Sequence, residues 1–160
     1  MYADFNTTGN SNNDVSIIFL TEAPPLSRYI KPVALPSLLD VNDSFVGRPA
    51  LISGWGMTVV NSTTQETLQW TTVYVISNIK CKKYFKPGII VESMLCAHDV
   101  DTSACFGDSG SALVVNTGGS YKQIGIVSFG PECCDPRIPT AYTRVTSFLE
   151  WITTTCEMAK

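Results

Sequence analysis

Short β-prone runs recur along the chain between turn signals, at residues 15–20, 50–53, 71–76, 112–115 and 123–128. The breakers between them include Pro24-Pro25, Pro36, Gly47-Arg48-Pro49, Pro87-Gly88, Gly118-Gly119 and Pro136. Many short strands at this spacing predict an antiparallel sandwich or barrel and argue against βαβ units. One stretch departs from the pattern. Val145, Phe148, Leu149 and Ile152 fall at helical spacing with Trp151 beside them, which predicts a helix at the end of the chain. Residues 24–49 are proline-rich and read as a linker laid across a surface. No internal repeat and no low-complexity tract interrupts this order.

Composition narrows the picture. The 160 residues suit one domain or a piece of a larger one, and 44% hydrophobic against 16% charged residues supports a packed core. A net charge of -3 argues against nucleic acid as a partner, because phosphate binding needs a concentrated basic surface. The longest apolar run, residues 15–20, falls far short of the ~18 residues a membrane-spanning helix needs. Six cysteines (81, 96, 105, 133, 134 and 156) contain no Cys-x-x-Cys, and the only histidine is His98. A zinc site is therefore a poor reading, and neither a metal nor another cofactor is expected. Disulfides fit better and imply an oxidising compartment. Three sequons, at Asn6, Asn42 and Asn61, agree with secretion. The opening Met1-Tyr2-Ala3-Asp4 has neither the basic start nor the apolar stretch of an export signal, so the expectation is that the chain's beginning is absent.

The stretch Cys105-Phe106-Gly107-Asp108-Ser109-Gly110 carries the chemistry. Glycines on both sides of a serine permit a tight turn that exposes the hydroxyl and aims backbone N–H groups at one point. Acyl transfer needs that arrangement, a nucleophile beside an oxyanion hole. Taken alone, the tetrapeptide Gly-Asp-Ser-Gly reads equally well as a plain surface turn.

Other motifs decide between the two. In order they are Asn13-Asp14-Val15-Ser16-Ile17-Ile18, Ile30-Lys31-Pro32-Val33-Ala34-Leu35-Pro36, Ile52-Ser53-Gly54-Trp55-Gly56 and Met94-Leu95-Cys96-Ala97. After the Gly107–Gly110 turn come Gly125-Ile126-Val127-Ser128-Phe129-Gly130, Pro139-Thr140-Ala141-Tyr142-Thr143-Arg144-Val145 and Phe148-Leu149-Glu150-Trp151-Ile152. This series resembles the C-terminal two-thirds of chymotrypsin/trypsin-family serine endopeptidases, closest in wording to insect digestive members of the brachyurin-like group. The resemblance implies an all-β, trypsin-like double β-barrel with a C-terminal α-helix. Residues 1–48 would be a remnant of the first barrel plus the interdomain linker. Residues 49–160 would form the complete second barrel and the helix.

The resemblance also implies roles. Ser109 would be the nucleophile, and Asp14 would orient a histidine and stabilise its imidazolium form. The amides of Gly107 and Ser109 would make the oxyanion hole. Asp108 would pair with the new N-terminus released by zymogen cleavage. Ser103, Ser128, Gly130 and Thr140 would line the specificity pocket. Ser103 is uncharged, which disfavours Arg or Lys in that pocket, and Thr140 would narrow it toward medium apolar side chains. Cys81 would pair with Cys96, and Cys105 with Cys134 or Cys133, leaving Cys156 and one neighbour over. The expected partner is a protein or peptide substrate, outside the cell.

One departure governs activity. The family's general base lies N-terminal to the triad aspartate, and nothing before Asp14 is a histidine. His98 follows Cys96 by two residues and reads as a solvated loop histidine, not a substitute base. The chain alone is thus expected to be inactive. Most of the first barrel is missing on this reading, so apolar surface near residues 14–20 would be exposed and the isolated chain is expected to fold poorly. A non-catalytic homologue acting as a binding protein is the alternative, and one chain of a split enzyme, completed by a separate first-barrel segment, is a third.

Overall fold

The computed structural model describes residues 2, 4–5, 11–58, 62–131 and 134–159. Six strands close into a barrel: β1 (Pro49–Gly54), β2 (Gln69–Ile76), β3 (Met94–His98), β4 (Ala112–Asn116), β5 (Tyr121–Phe129) and β6 (Thr140–Arg144). The ring order is β1-β2-β3-β6-β5-β4, and every neighbouring pair is antiparallel. A one-turn helix α1 (Asn78–Cys81) follows β2. The chain ends in α2 (Leu149–Met158), entered through a 3-10 turn over Val145–Phe148.

Burial explains which strands announce themselves in sequence. Along β1 and β4 buried and open positions alternate, the period-two signature of a sheet with one face on the core. In β3 and β6 four consecutive residues are buried, so no alternation exists to be read, and neither strand was expected from the pattern. Ala50, Ile52, Val73, Val75, Leu95, Leu113, Ile124 and Tyr142 fill the interior. Phe45 joins them from outside the strands, buried despite a left-handed backbone (φ 57°). Burying its ring gains about 3 kcal/mol, against about 1–2 kcal/mol for that conformation, so packing wins.

A second cluster, with Ile76, Ile90, Met94 and Ala141, surrounds the Cys81–Cys96 disulfide. Cys105 bonds Cys134, the first of the two partners left open. Cys133 lies outside the described residues. Cys156 is exposed on α2 and forms no disulfide among them.

One expectation needs correction, and another is met with added detail. Residues 15–20 form no strand: only Val15 is buried, and Ile18, Phe19 and Leu20 face solvent. Their apolar β-prone character finds no partner strand among the described residues, and a strand without a ladder leaves its backbone groups to water. The helical spacing at 145–152 spans two conformations, the 3-10 turn and only then the α-helix. The proline-rich segment does cross a surface. Ala34 bridges Lys122, its N–H donating to Tyr121 O (3.3 Å) and its carbonyl accepting from Gln123 N (2.9 Å). Lys122 Nζ donates to both carboxylate oxygens of Asp40, at 2.7 and 2.8 Å. That ammonium, with the Ser37 N–H and hydroxyl, holds the Asp40 carboxyl down at about 2.

Candidate active site

Two glycines with positive φ shape the loop before β4: Gly107 (98°) and Gly110 (84°). Asp108 N donates to Cys105 O (3.0 Å) and Ser111 N to Asp108 O (2.9 Å), so consecutive tight turns leave Ser109 exposed at the tip. Among the described residues, the Gly107 and Ser109 amides donate to no acceptor in the chain. Both are open to an incoming oxygen. A Cβ on Gly107 would stand 3.0 Å from Gly56 Cα, so the loop needs glycine for space as well as for φ.

Asp108 turns the other way, inward. Its carboxylate accepts from Gly56 N (2.8 Å) and Cys105 N (3.0 Å). A Cβ on Gly56 would meet that carboxylate at 2.5 Å, and one on Gly54 would collide with it as well. The Gly54-Trp55-Gly56 turn is therefore the seat of Asp108. The same carboxylate lines a cavity of about 650 Å³ shared with Ser103, Ser111 and the Cys105–Cys134 disulfide. Asp135 and Arg137 also line it, and the Arg137 guanidinium and N–H hold the Asp135 carboxyl down at about 2.

Asp14 reaches the barrel through its neighbours. Val15 is buried, Thr143 Oγ1 donates to the Asp14 carbonyl (2.7 Å), and Ser128 Oγ donates to Asp14 Oδ2 (2.7 Å). Further back, Ser93 Oγ donates to Asn12 Oδ1 (2.6 Å), and the Tyr2 ring meets Phe148 and Trp151 edge-on. Ser128 can reach Asp14 because β5 bulges there. Val127 pairs with Tyr142 and Phe129 with Ala141, which leaves Ser128 unpaired between them. One residue earlier, Val127 O accepts from Gly110 N (2.9 Å) and Val127 N donates to Ser111 O (2.9 Å). Adjacent residues of one strand thus fasten both the Asp14 segment and the Ser109 turn. Sequence reading placed Ser128 in the pocket and missed this bond; a bulge is a register effect between distant strands, and no spacing signals it.

The other pocket candidates divide. Ser103 Oγ donates to Cys134 O (3.3 Å) and lines the cavity, whereas Ser128, Gly130 and Thr140 do not. A Cβ on Gly130 would lie 3.4 Å from Thr140 Oγ1, so these two positions face each other. Thr140 Oγ1 and the Tyr142 hydroxyl are buried without a hydrogen-bond partner. Burial pushes the Tyr142 phenol well above its ordinary range, the neighbouring Thr140 hydroxyl offsets part of that rise, and the Asp108 charge adds to it.

His98 corrects an expectation. It lies in β3 opposite Tyr74, not in a solvated loop; its Nε2 is buried without a partner, and Tyr84 stands 6.0 Å away, centroid to centroid. In the six-stranded ring β3 and β4 occupy opposite walls, which separates His98 from the turn that leads into β4.

Residues 2–152, which include Asp14 and the Gly-Asp-Ser-Gly turn, match the family model for trypsin. The chain belongs to the trypsin family. Among curated relatives it is 38% identical to a collagenase of Hypoderma lineatum over 142 residues, covering 88% of this chain and 52% of that protein. It is 32% identical to a venom protease of Bombus pensylvanicus, covering 87% and 58%. The solved HL collagenase structure superposes with a TM-score of 0.76 at 36% identity, over 85% of this chain and 58% of that one. The chain thus spans about half the length of the curated relatives it matches, and its fold is trypsin-like.

Proposed function

We propose that this trypsin-family chain carries the nucleophile side of a secreted serine endopeptidase. Ser109 Oγ attacks the scissile carbonyl, and the developing oxyanion is received by the Gly107 and Ser109 amides. The serine proton passes to a histidine and then to the departing amine, and water later releases the acyl group. Asp14 orients that histidine, and Asp108 receives a cleaved N-terminus at the cavity it lines. The observation that carries the reading is the shared anchor on β5: Val127 holds the Ser109 turn while Ser128 holds Asp14.

These 160 residues place no histidine beside Ser109, since His98 sits on the opposite wall. Catalysis therefore requires a base that the chain does not supply, and the chain assayed alone falls on the order of 10⁶-fold below a complete enzyme. The same observation favours a second reading, a homologue that binds peptides without cleaving them. By the family resemblance Thr140 narrows the pocket toward medium apolar side chains, and Ser103 offers no carboxylate for Arg or Lys.

The test is complementation. The chain is assayed alone on a peptide library, and again fused behind the portion of the Hypoderma collagenase that it does not span. Activity in the fusion that vanishes with Ser109→Ala and falls steeply with Asp14→Asn supports the endopeptidase. A correctly folded fusion without activity favours the binding protein, and cleavage by the chain alone removes the claim that a base is missing. A fusion that prefers Arg at the cleaved position would overturn the pocket assignment.

A further inference from the structure

Charge is unevenly spread over this acidic chain. Four of its eleven lysines and arginines fall between Lys80 and Lys86, while none of its fourteen aspartates and glutamates lies between Glu66 and Glu92. Lys80, Lys82, Lys83 and Lys86 are all exposed, and none has an ion-pair partner among the described residues. Elsewhere Arg48, Lys122 and Arg137 each pair with an aspartate, and Arg144 spends its guanidinium on backbone carbonyls. The cluster is the largest group of neighbouring cations in the sequence without an ion-pair partner among the described residues.

The segment is also rigid. Cys81, between Lys80 and Lys82, is fully buried and bonded to Cys96 of β3. The Ser77 side chain caps α1 by accepting from Lys80 N. Phe85 packs on Phe129 at 5.7 Å. Four like charges are therefore carried on one anchored segment that contains no acidic residue, and bringing an anion to it costs little ordering of the backbone.

We infer that the Lys80–Lys86 loop is a docking surface for a sulfated polysaccharide. The disulfide inside the cluster fits an oxidising compartment, where sulfated chains and not nucleic acids are the abundant polyanions. A bilayer fits less well: the loop offers only Ile79 (78% exposed) and Tyr84 (43%) for burial, too little apolar area to insert. Tyr84 stands among the lysines, 43% exposed, with its ring 6.0 Å from His98. The loop packs on β3, across the barrel from the strand that follows Ser109, so a bound polysaccharide leaves the candidate site open. The inference does not depend on catalysis.

The experiment is titration of the whole chain with heparin, followed by fluorescence or calorimetry over a salt series. Binding should weaken linearly in log Kd against log salt, as counterion release requires. Lys82→Gln/Lys83→Gln should weaken it on the order of tenfold and flatten the salt slope. Arg28→Gln/Lys31→Gln changes the net charge equally and should leave affinity within about twofold, since those cations lie outside the cluster. Equal losses in the two double variants, or no heparin binding at 0.15 M salt, would overturn the proposal. So would tighter binding to duplex DNA or to phosphatidylserine vesicles than to heparin.

Discussion

The barrel and the segment before it are built from similarly apolar sequence, yet they behave as different materials. In β4, Leu113 is fully buried between strands; in the leading segment, Leu20 is 67% exposed, and its neighbours Ile18 and Phe19 also face solvent. The difference is not hydrophobicity. Leu113 belongs to a strand with partners on both sides, β1 and β5, so its backbone is satisfied and its side chain has a closed interior to enter. Residues 15–20 have the same propensity and no ladder. A sequence pattern proposes a strand, and a neighbour is what makes it one.

Substitution should expose this contrast sharply. Leu113→Ala is expected to cost about 2–5 kcal/mol of unfolding free energy, through lost transfer energy and the cavity left behind. Leu20→Ala should stay within about 0.5 kcal/mol. Urea denaturation of the two variants measures both. Comparable losses would mean that the leading segment is packed against something, and the comparison would fail.

A smaller effect is expected at the seat of Asp108. Gly56→Ala sets a methyl group 2.5 Å from the Asp108 carboxylate, and the carboxylate must move. We expect a loss of about 1–3 kcal/mol, typical of overpacking. In a complemented enzyme, activity should fall further than stability explains, because Asp108 neighbours both oxyanion amides. If activity tracked stability alone, Asp108 would be a structural plug only.

The smallest effect concerns the strap. Asp40 titrates at about 2 in the folded chain, below its ordinary 3.8, so its contribution is complete above about pH 4 and is lost as pH falls through 2. Hydrogen-exchange protection of the Ala34 and Gln123 amides should decline across that window while Leu113 stays protected. In Asp40→Asn their protection should already be reduced at pH 4. A pH-independent profile at Ala34 would show that the backbone bridge holds without the ion pair.

Much of this was readable beforehand, and the exceptions share a cause. The order of short motifs carried the family, the barrel and the Cys81–Cys96 disulfide, and left only Cys133 or Cys134 open for Cys105; the Gly107–Gly110 turn was legible because it encodes a local backbone need, the positive φ at both glycines. What stayed hidden depended on distant neighbours. β3 and β6 are buried on both faces and lack alternation; residues 15–20 lack a partner; His98 was placed in water because nothing in its flanks says that β3 continues to it. The Ser128–Asp14 bond arises from a one-residue register shift between β5 and β6, which no local signal contains.

The leading segment has one more consequence. No cysteine precedes Cys81, so no disulfide within the chain can tie residues before the barrel to it. Residues 18–33 are exposed throughout, and the strand-like contact begins at Ala34. A single nick by another protease in that stretch would leave Asp14 attached through non-covalent contacts, among them buried Val15, the Thr143, Ser128 and Ser93 hydroxyls and the Tyr2 ring. The two candidate catalytic residues would then belong to separate polypeptides, and dilution could part them without altering a single side chain.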